Sequence, residues 1–120
     1  MGKLVLHITC GIEAPTKATL AMLVGKAAVA DGQEVSAFFA GDAVSLLRPV
    51  TADAVAGVGI GTFREHLDAF VAGGGKLFAS KLSGVARGIG DGEVGDLPVQ
   101  FGPPTDLIRM SLEADAVLSY

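Results

Sequence analysis

The sequence predicts an α/β fold: a three-layer α/β/α sandwich on an open, mostly parallel sheet of about five strands. Two observations lead there. Short apolar runs recur as "KLVLHIT" (3–9), "EVSAFFA" (34–40), "KLFAS" (76–80), "LPVQFG" (97–102) and "AVLSY" (116–120). Segments with helical spacing separate them, through short connections, and this alternation is that of crossover units around a parallel sheet. The first run is apolar without alternation, as expected of a central strand buried on both faces.

Taken in order, the run at 3–9 stops at "CG", and "APTKATLAMLVGKAAVADG" follows. Pro15 suits a first helical turn; Leu20, Leu23, Val24, Ala27 and Ala28 form one face, and Gly32 is a natural stop. The second strand closes at "GD", and a short helix, "AVSLLR", is ended by Pro49. Residues 50–61, "VTADAVAGVGIG", set no period and read as a loop. "TFRE" opens the next helix with capping-box spacing, Thr62 bonding forward and Glu65 reaching back. Phe63, Leu67, Phe70 and Val71 supply its buried face, and "GGG" (73–75) ends it before the third strand. The Ser/Gly-spaced segment 80–92 reads as that strand opening into a site. After the Gly- and Asp-rich stretch 88–96 come the run at 97–102, a helix from Pro104 or Thr105 through "DLIRMSLEAD", and the last strand. No internal repeat or linker is visible, so residues 1–120 read as one domain, with Phe38, Phe39, Phe63, Phe70 and Phe78 as packing.

Composition narrows the function classes. Hydrophobic residues are 50% of the chain, the net charge is −4, and the nine basic residues are scattered singly. With one Tyr and no basic stripe, nucleic-acid binding has no support. The N-terminal apolar run is too short for a signal peptide or a membrane span, which reads as a cytoplasmic protein. One cysteine excludes an internal disulfide and any multi-cysteine metal site. The high apolar content of so small a chain points to surface covered by other subunits.

In open parallel sheets, ligands bind beyond the carboxyl ends of the strands, beside helix N-termini. That edge carries "TCGIEAPT", "AGD" and "SKLSGVARG". Cys10 is the only thiol, and a following helix N-terminus can lower a thiol pKa; the simpler reading is a small buried strand-end side chain, since the helix proper starts near Pro15 and Thr16. Ser80, Ser83 and Arg87, with the amides of Gly11 and Gly88, could receive a carboxylate, sulfate or phosphate, the guanidinium supplying a forked charge. The same serines could be turn caps, and Arg87 an ion-pair or helix C-terminal partner. His7 lies mid-strand and reads as a core or interface residue; His66 lies beside Glu65 and reads as exposed. No metal site follows from two isolated histidines. "GVGIG" (57–61) follows no strand and is not a dinucleotide fingerprint. No base is placed for a serine triad, and no cofactor is implied. A flavodoxin-like FMN site would use "TCGIEAPT", which offers only Thr9 and Thr16 as hydroxyls.

The order "KLVLHIT", "EVSAFFAGDAVSLL", "GGGKLFASKLSGVARGI" and "LEADAVLSY" resembles the DsrE/DsrF-like proteins, which include the small sulfur-relay subunits, nearly end to end. The resemblance implies a domain that assembles as a homotrimer or homohexamer, a link to sulfur metabolism, and a relay partner protein. In the relay members a cysteine just after the third strand carries a persulfide. Aligning "ARGI" on the family's Arg-Gly element puts Ser80 there, and a hydroxyl cannot hold a transferable sulfane sulfur. Relay assemblies include subunits without the carrier cysteine. The expectation is a non-catalytic oligomer that binds a small anion or a partner protein at the strand-end pocket. The alternatives are sulfur transfer through Cys10 and flavin binding.

Overall fold

A computed structural model describes residues 1–120. The chain runs β1 (Lys3–Ile8), α1 (Pro15–Ala30), β2 (Glu34–Phe39), a 3₁₀ segment (Gly41–Leu47), α2 (Pro49–Ala54), β3 (Ala56–Gly57), β4 (Gly61–Thr62), α3 (Phe63–Ala72), β5 (Lys76–Ser80), α4 (Lys81–Arg87), a 3₁₀ turn (Asp91–Glu93), β6 (Val99–Gly102), α5 (Pro104–Glu113) and β7 (Ala116–Ser119). The five long strands form one sheet in the order β6-β5-β2-β1-β7. Every pairing in it is parallel, with Val5 opposite both Ser36 and Val117.

Parallel neighbours require crossovers, and crossovers are right-handed. From β1 through β2 and β5 to β6 the chain steps one way along the sheet, so α1, α3 and α4 fall on one face. From β6 to β7 it steps back, and α5 lands on the other face. The two faces are unequal. Leu6, Ile8, Val35, Ala37, Phe39, Leu77, Ala79 and Val99 look toward Met22, Phe63, Leu67 and Phe70 in the main core. On the opposite face Val5 and Phe38 are buried, His7 meets Phe38 edge to face at 6.4 Å, and α5 buries none of its residues. Burial lowers the pKa of His7, which keeps it neutral near neutral pH.

The Thr62–Glu65 capping box forms: Thr62 Oγ1 accepts the Glu65 N–H at 3.2 Å and the Glu65 carboxylate accepts the Thr62 N–H at 2.9 Å. Several local expectations are corrected. Pro49 does not merely stop the preceding turn; it is the first residue of α2, where its missing N–H costs nothing. Residues 56–62 are not a loop but an antiparallel ribbon, Ala56 opposite Thr62 and Gly57 opposite Gly61. The α1 face is rotated from the expected one: Ala18, Thr19, Ala21, Met22 and Gly25 are buried, while Leu20 and Ala27 are exposed. That helix is apolar nearly all round, so no period selects a face, and small side chains let it approach both the sheet and α3.

Phe70, on α3, is fully buried, its ring against Gly25 of α1 and Gly75 just before β5. Phe70→Ala should lower the unfolding free energy by about 3–5 kcal/mol, because the vacated volume cannot collapse fully. Urea unfolding measures this, with an unchanged denaturant slope.

Candidate ligand-binding site at the strand ends

Ser80 is the last residue of β5 and the N-cap of α4. The segment read as the strand opening into a site begins as a helix, Lys81–Arg87. Ser80 Oγ accepts the Ser83 N–H at 3.2 Å. Eight residues after Ser80, Gly88 closes the helix in the left-handed region, φ +69°, donating its N–H to the Gly84 and Val85 carbonyls. A capping serine and a left-handed glycine thus fix a short helix that apolar periodicity does not announce. Ser80 is buried, with 8% of its surface exposed.

From α4 two side chains reach the loop after β2. Ser83 Oγ accepts the Gly41 N–H at 2.9 Å. The Arg87 guanidinium donates to the Ser83 carbonyl at 3.1 Å and to the Asp42 carboxylate at 2.9 Å. Gly11, after β1, packs so closely on this loop that a Cβ there would lie 2.4 Å from the Asp42 carbonyl oxygen. Arg48 donates to the Arg87 carbonyl at 3.4 Å. Gly11, Ser83 and Arg87 are thus gathered around Gly41–Asp42, Ser80 caps the helix that presents the latter two, and Gly88 ends it. Arg87 is a partner for Asp42, and an incoming anion would have to compete with that carboxylate. The ion pair is half-solvated, the Arg87 side chain 31% and the Asp42 side chain 69% exposed, so the competition is modest.

Cys10 sits beyond β1, half-buried. Burial pushes its thiol pKa up, and Glu13 adds to this against the opposing charge of Lys17. The Glu13 carboxylate folds back to accept the Gly11 N–H. Helix α1 begins only at Pro15, with no side-chain cap. The expected lowering by a helix N-terminus is absent: the dipole acts within the first turn, and Cys10 lies outside it.

On the other side of α4 an open cleft of about 610 Å³ runs between α4, β6 and the start of α5. Lys81, Val85, Ile89, Val99, Phe101 and Asp106 line much of it. Ser80, Ser83 and Arg87 are not among its walls, so the strand-end region has two parts, the Arg87–Asp42 cluster and the cleft. Sequence reading missed Asp42 and Lys81 as side chains of the region, although "AGD" placed the first at the right edge. His66, expected to be exposed, is buried at 5% exposure, with Nε2 2.6 Å from the Ile60 carbonyl and Nδ1 without a partner. Its spacing to Phe63 and Phe70 is that of the buried face, and the β3–β4 ribbon covers it.

A raised thiol pKa means less thiolate at neutral pH than in the unfolded chain. Alkylation of native Cys10 at pH 7 should be slower than in urea, and the gap should narrow as pH rises through and above the ordinary thiol range. Equal rates at pH 7, followed by mass spectrometry, would refute this.

Solved structures with this architecture come from distant organisms. The ychN protein from E. coli is 20% identical, with a TM-score of 0.78 and 100% of both chains covered. MTH1491 from Methanobacterium thermoautotrophicum, described as a protein of unknown function, is 15% identical, with a TM-score of 0.74 and 100% of both chains covered. BT1422 from Bacteroides thetaiotaomicron, described likewise, is 11% identical, with a TM-score of 0.73 over 99% of this chain and 95% of that one. At these identities the likeness is one of fold. No curated protein sequence matches the chain. The profile of the DsrE/DsrF-like family matches residues 3–120, and the chain belongs to that family.

Proposed function

We propose that this is a non-catalytic, homo-oligomeric DsrE/DsrF-like protein that binds a small anion or a partner protein at the strand-end region, in the cytoplasm and in connection with sulfur metabolism. The observation that carries the reading is Ser80. At the position that the resemblance assigns to a persulfide cysteine stands a buried hydroxyl whose oxygen caps α4. It supplies structure in place of chemistry. Transfer through Cys10 is disfavoured by the raised thiol pKa. No helix is long and apolar enough to cross a membrane.

The thinly covered sheet face supports assembly. Helix α5 is amphipathic yet buries nothing, leaving Ile108 57% and Leu112 82% exposed, and the adjoining edge strand β7 exposes Val117 and Leu118. A second copy covering this face would take Ile108, Leu112, Val117 and Leu118 out of water. Light scattering at micromolar concentration should give a trimer or hexamer, and Ile108→Asp with Leu112→Asp should shift it to monomer. A monomeric wild type would refute the assembly.

Arg87 is the cation that an anion would use, and Asp42 is its competitor. Sulfate titration followed by amide chemical shifts should move the Ser83–Gly88 signals, and Asp42→Asn should tighten binding about threefold, roughly 0.6 kcal/mol. No response of either protein would remove the anion reading and leave partner binding.

A further inference from the structure

We propose that Glu13 is an autoinhibitory residue of the strand-end site: its carboxylate sits on the Gly11 N–H, and an incoming oxoanion or carboxylate reaches that amide only by displacing it. This deepens the anion reading of the strand-end region, and rests on it.

Gly11 is one of the amides that the sequence nominates for an anion, and its N–H already holds one. Both oxygens of the Glu13 carboxylate approach it, Oε2 at 2.9 Å. Gly11 is buried, packed against Asp42, and Asp42 is also the residue that accepts from Arg87. Gly11 and Arg87 therefore flank the same aspartate. Each of the two donors carries a carboxylate of the chain itself, Glu13 on the amide and Asp42 on the guanidinium.

The Glu13 contact is exchangeable. A buried N–H left unpaired is costly, but an anion replaces one charged acceptor with another, so the bond is kept. Glu13 is exposed and has no cation within ion-pair distance, and its release restores the rotamer freedom of a long side chain. The released carboxylate also has a second seat. Helix α1 begins two residues later, at Pro15, with no side-chain cap, so its first amides are open to an acceptor. A carboxylate serving only to cap that helix would lie on those amides; the one on Glu13 turns back to Gly11 instead.

Tethering makes Glu13 a selective competitor. A group held two residues away acts at an effective concentration on the order of millimolar or above. A dilute anion that meets the amide alone leaves it closed, and a ligand that also holds Arg87 can open it.

The test titrates sulfate into the whole protein and follows the amide signals of Gly11 and of Ser83–Gly88 in wild type, Glu13→Gln and Glu13→Ala. Glutamine keeps the reach and a neutral acceptor, and alanine keeps neither. In the wild type the Ser83–Gly88 signals should move first, and Gly11 only at the higher sulfate needed to displace Glu13. In Glu13→Ala the two should move together, with binding about fivefold tighter, and Glu13→Gln should fall between. A Gly11 signal that moves with Ser83–Gly88 in the wild type would overturn the proposal. So would equal tightening by glutamine and alanine, which would mean that Glu13 acts through its charge and not by occupying the amide. Movement of Ser83–Gly88 with Gly11 silent in all three proteins would sink this inference and leave the anion reading standing; silence of both regions in all three would sink both.

Discussion

The parallel pairing of β1 with β2 is the constraint from which the rest of the molecule follows. Two parallel neighbours cannot be joined by a hairpin, so α1 must cross the sheet, and it crosses right-handedly. Repeating that step through β5 and β6 stacks α1, α3 and α4 on one face and brings all the strand ends to one edge. Only the last crossover reverses, and it leaves a single helix, α5, to cover the opposite face. The thick core, the thin face and the site-bearing edge are consequences of one topology.

At that edge the serine hydroxyls hold backbone amides. Ser80 does what a cysteine at a helix start would do poorly: its hydroxyl is a strong acceptor for the Ser83 amide. Ser83 and Arg87 then fasten α4 to Gly41–Asp42. The remaining thiol lies at the end of a different strand, in surroundings that favour its neutral form. Reactive groups need the opposite arrangement, with the charged form stabilised. What stays open to visitors is the arginine–aspartate pair on one side of α4 and a cleft of mixed polar and apolar lining along β6 on the other.

Much of this was legible in the residues. The five apolar runs gave the sheet, Thr62 and Glu65 gave the start of α3, and "CG", "AGD" and "SKLSG" marked the strand ends. The failures share a cause: local signals were weak where tertiary contacts decide. Helix α4 is fixed by its two caps and has no apolar period. The 56–62 ribbon is two residues wide on each side, below what alternation can reveal. Helix α1 is apolar all round, so its buried face was settled by packing against Leu6 and Phe70. His66 was read by its neighbour Glu65 and not by its spacing from Phe63 and Phe70. The engagement of Arg87 with Asp42, 45 positions away, is invisible in a linear reading.

The central proposal is that the chain holds no transferable sulfur. Intact-mass measurement after incubation with a persulfide donor tests it most directly, with Cys10→Ser and Ser80→Cys proteins alongside. Wild-type protein should gain no sulfur atom, while Ser80→Cys should gain one that reductant removes. A reductant-sensitive sulfur on the wild type that is absent from Cys10→Ser would contradict the claim and make Cys10 a relocated carrier.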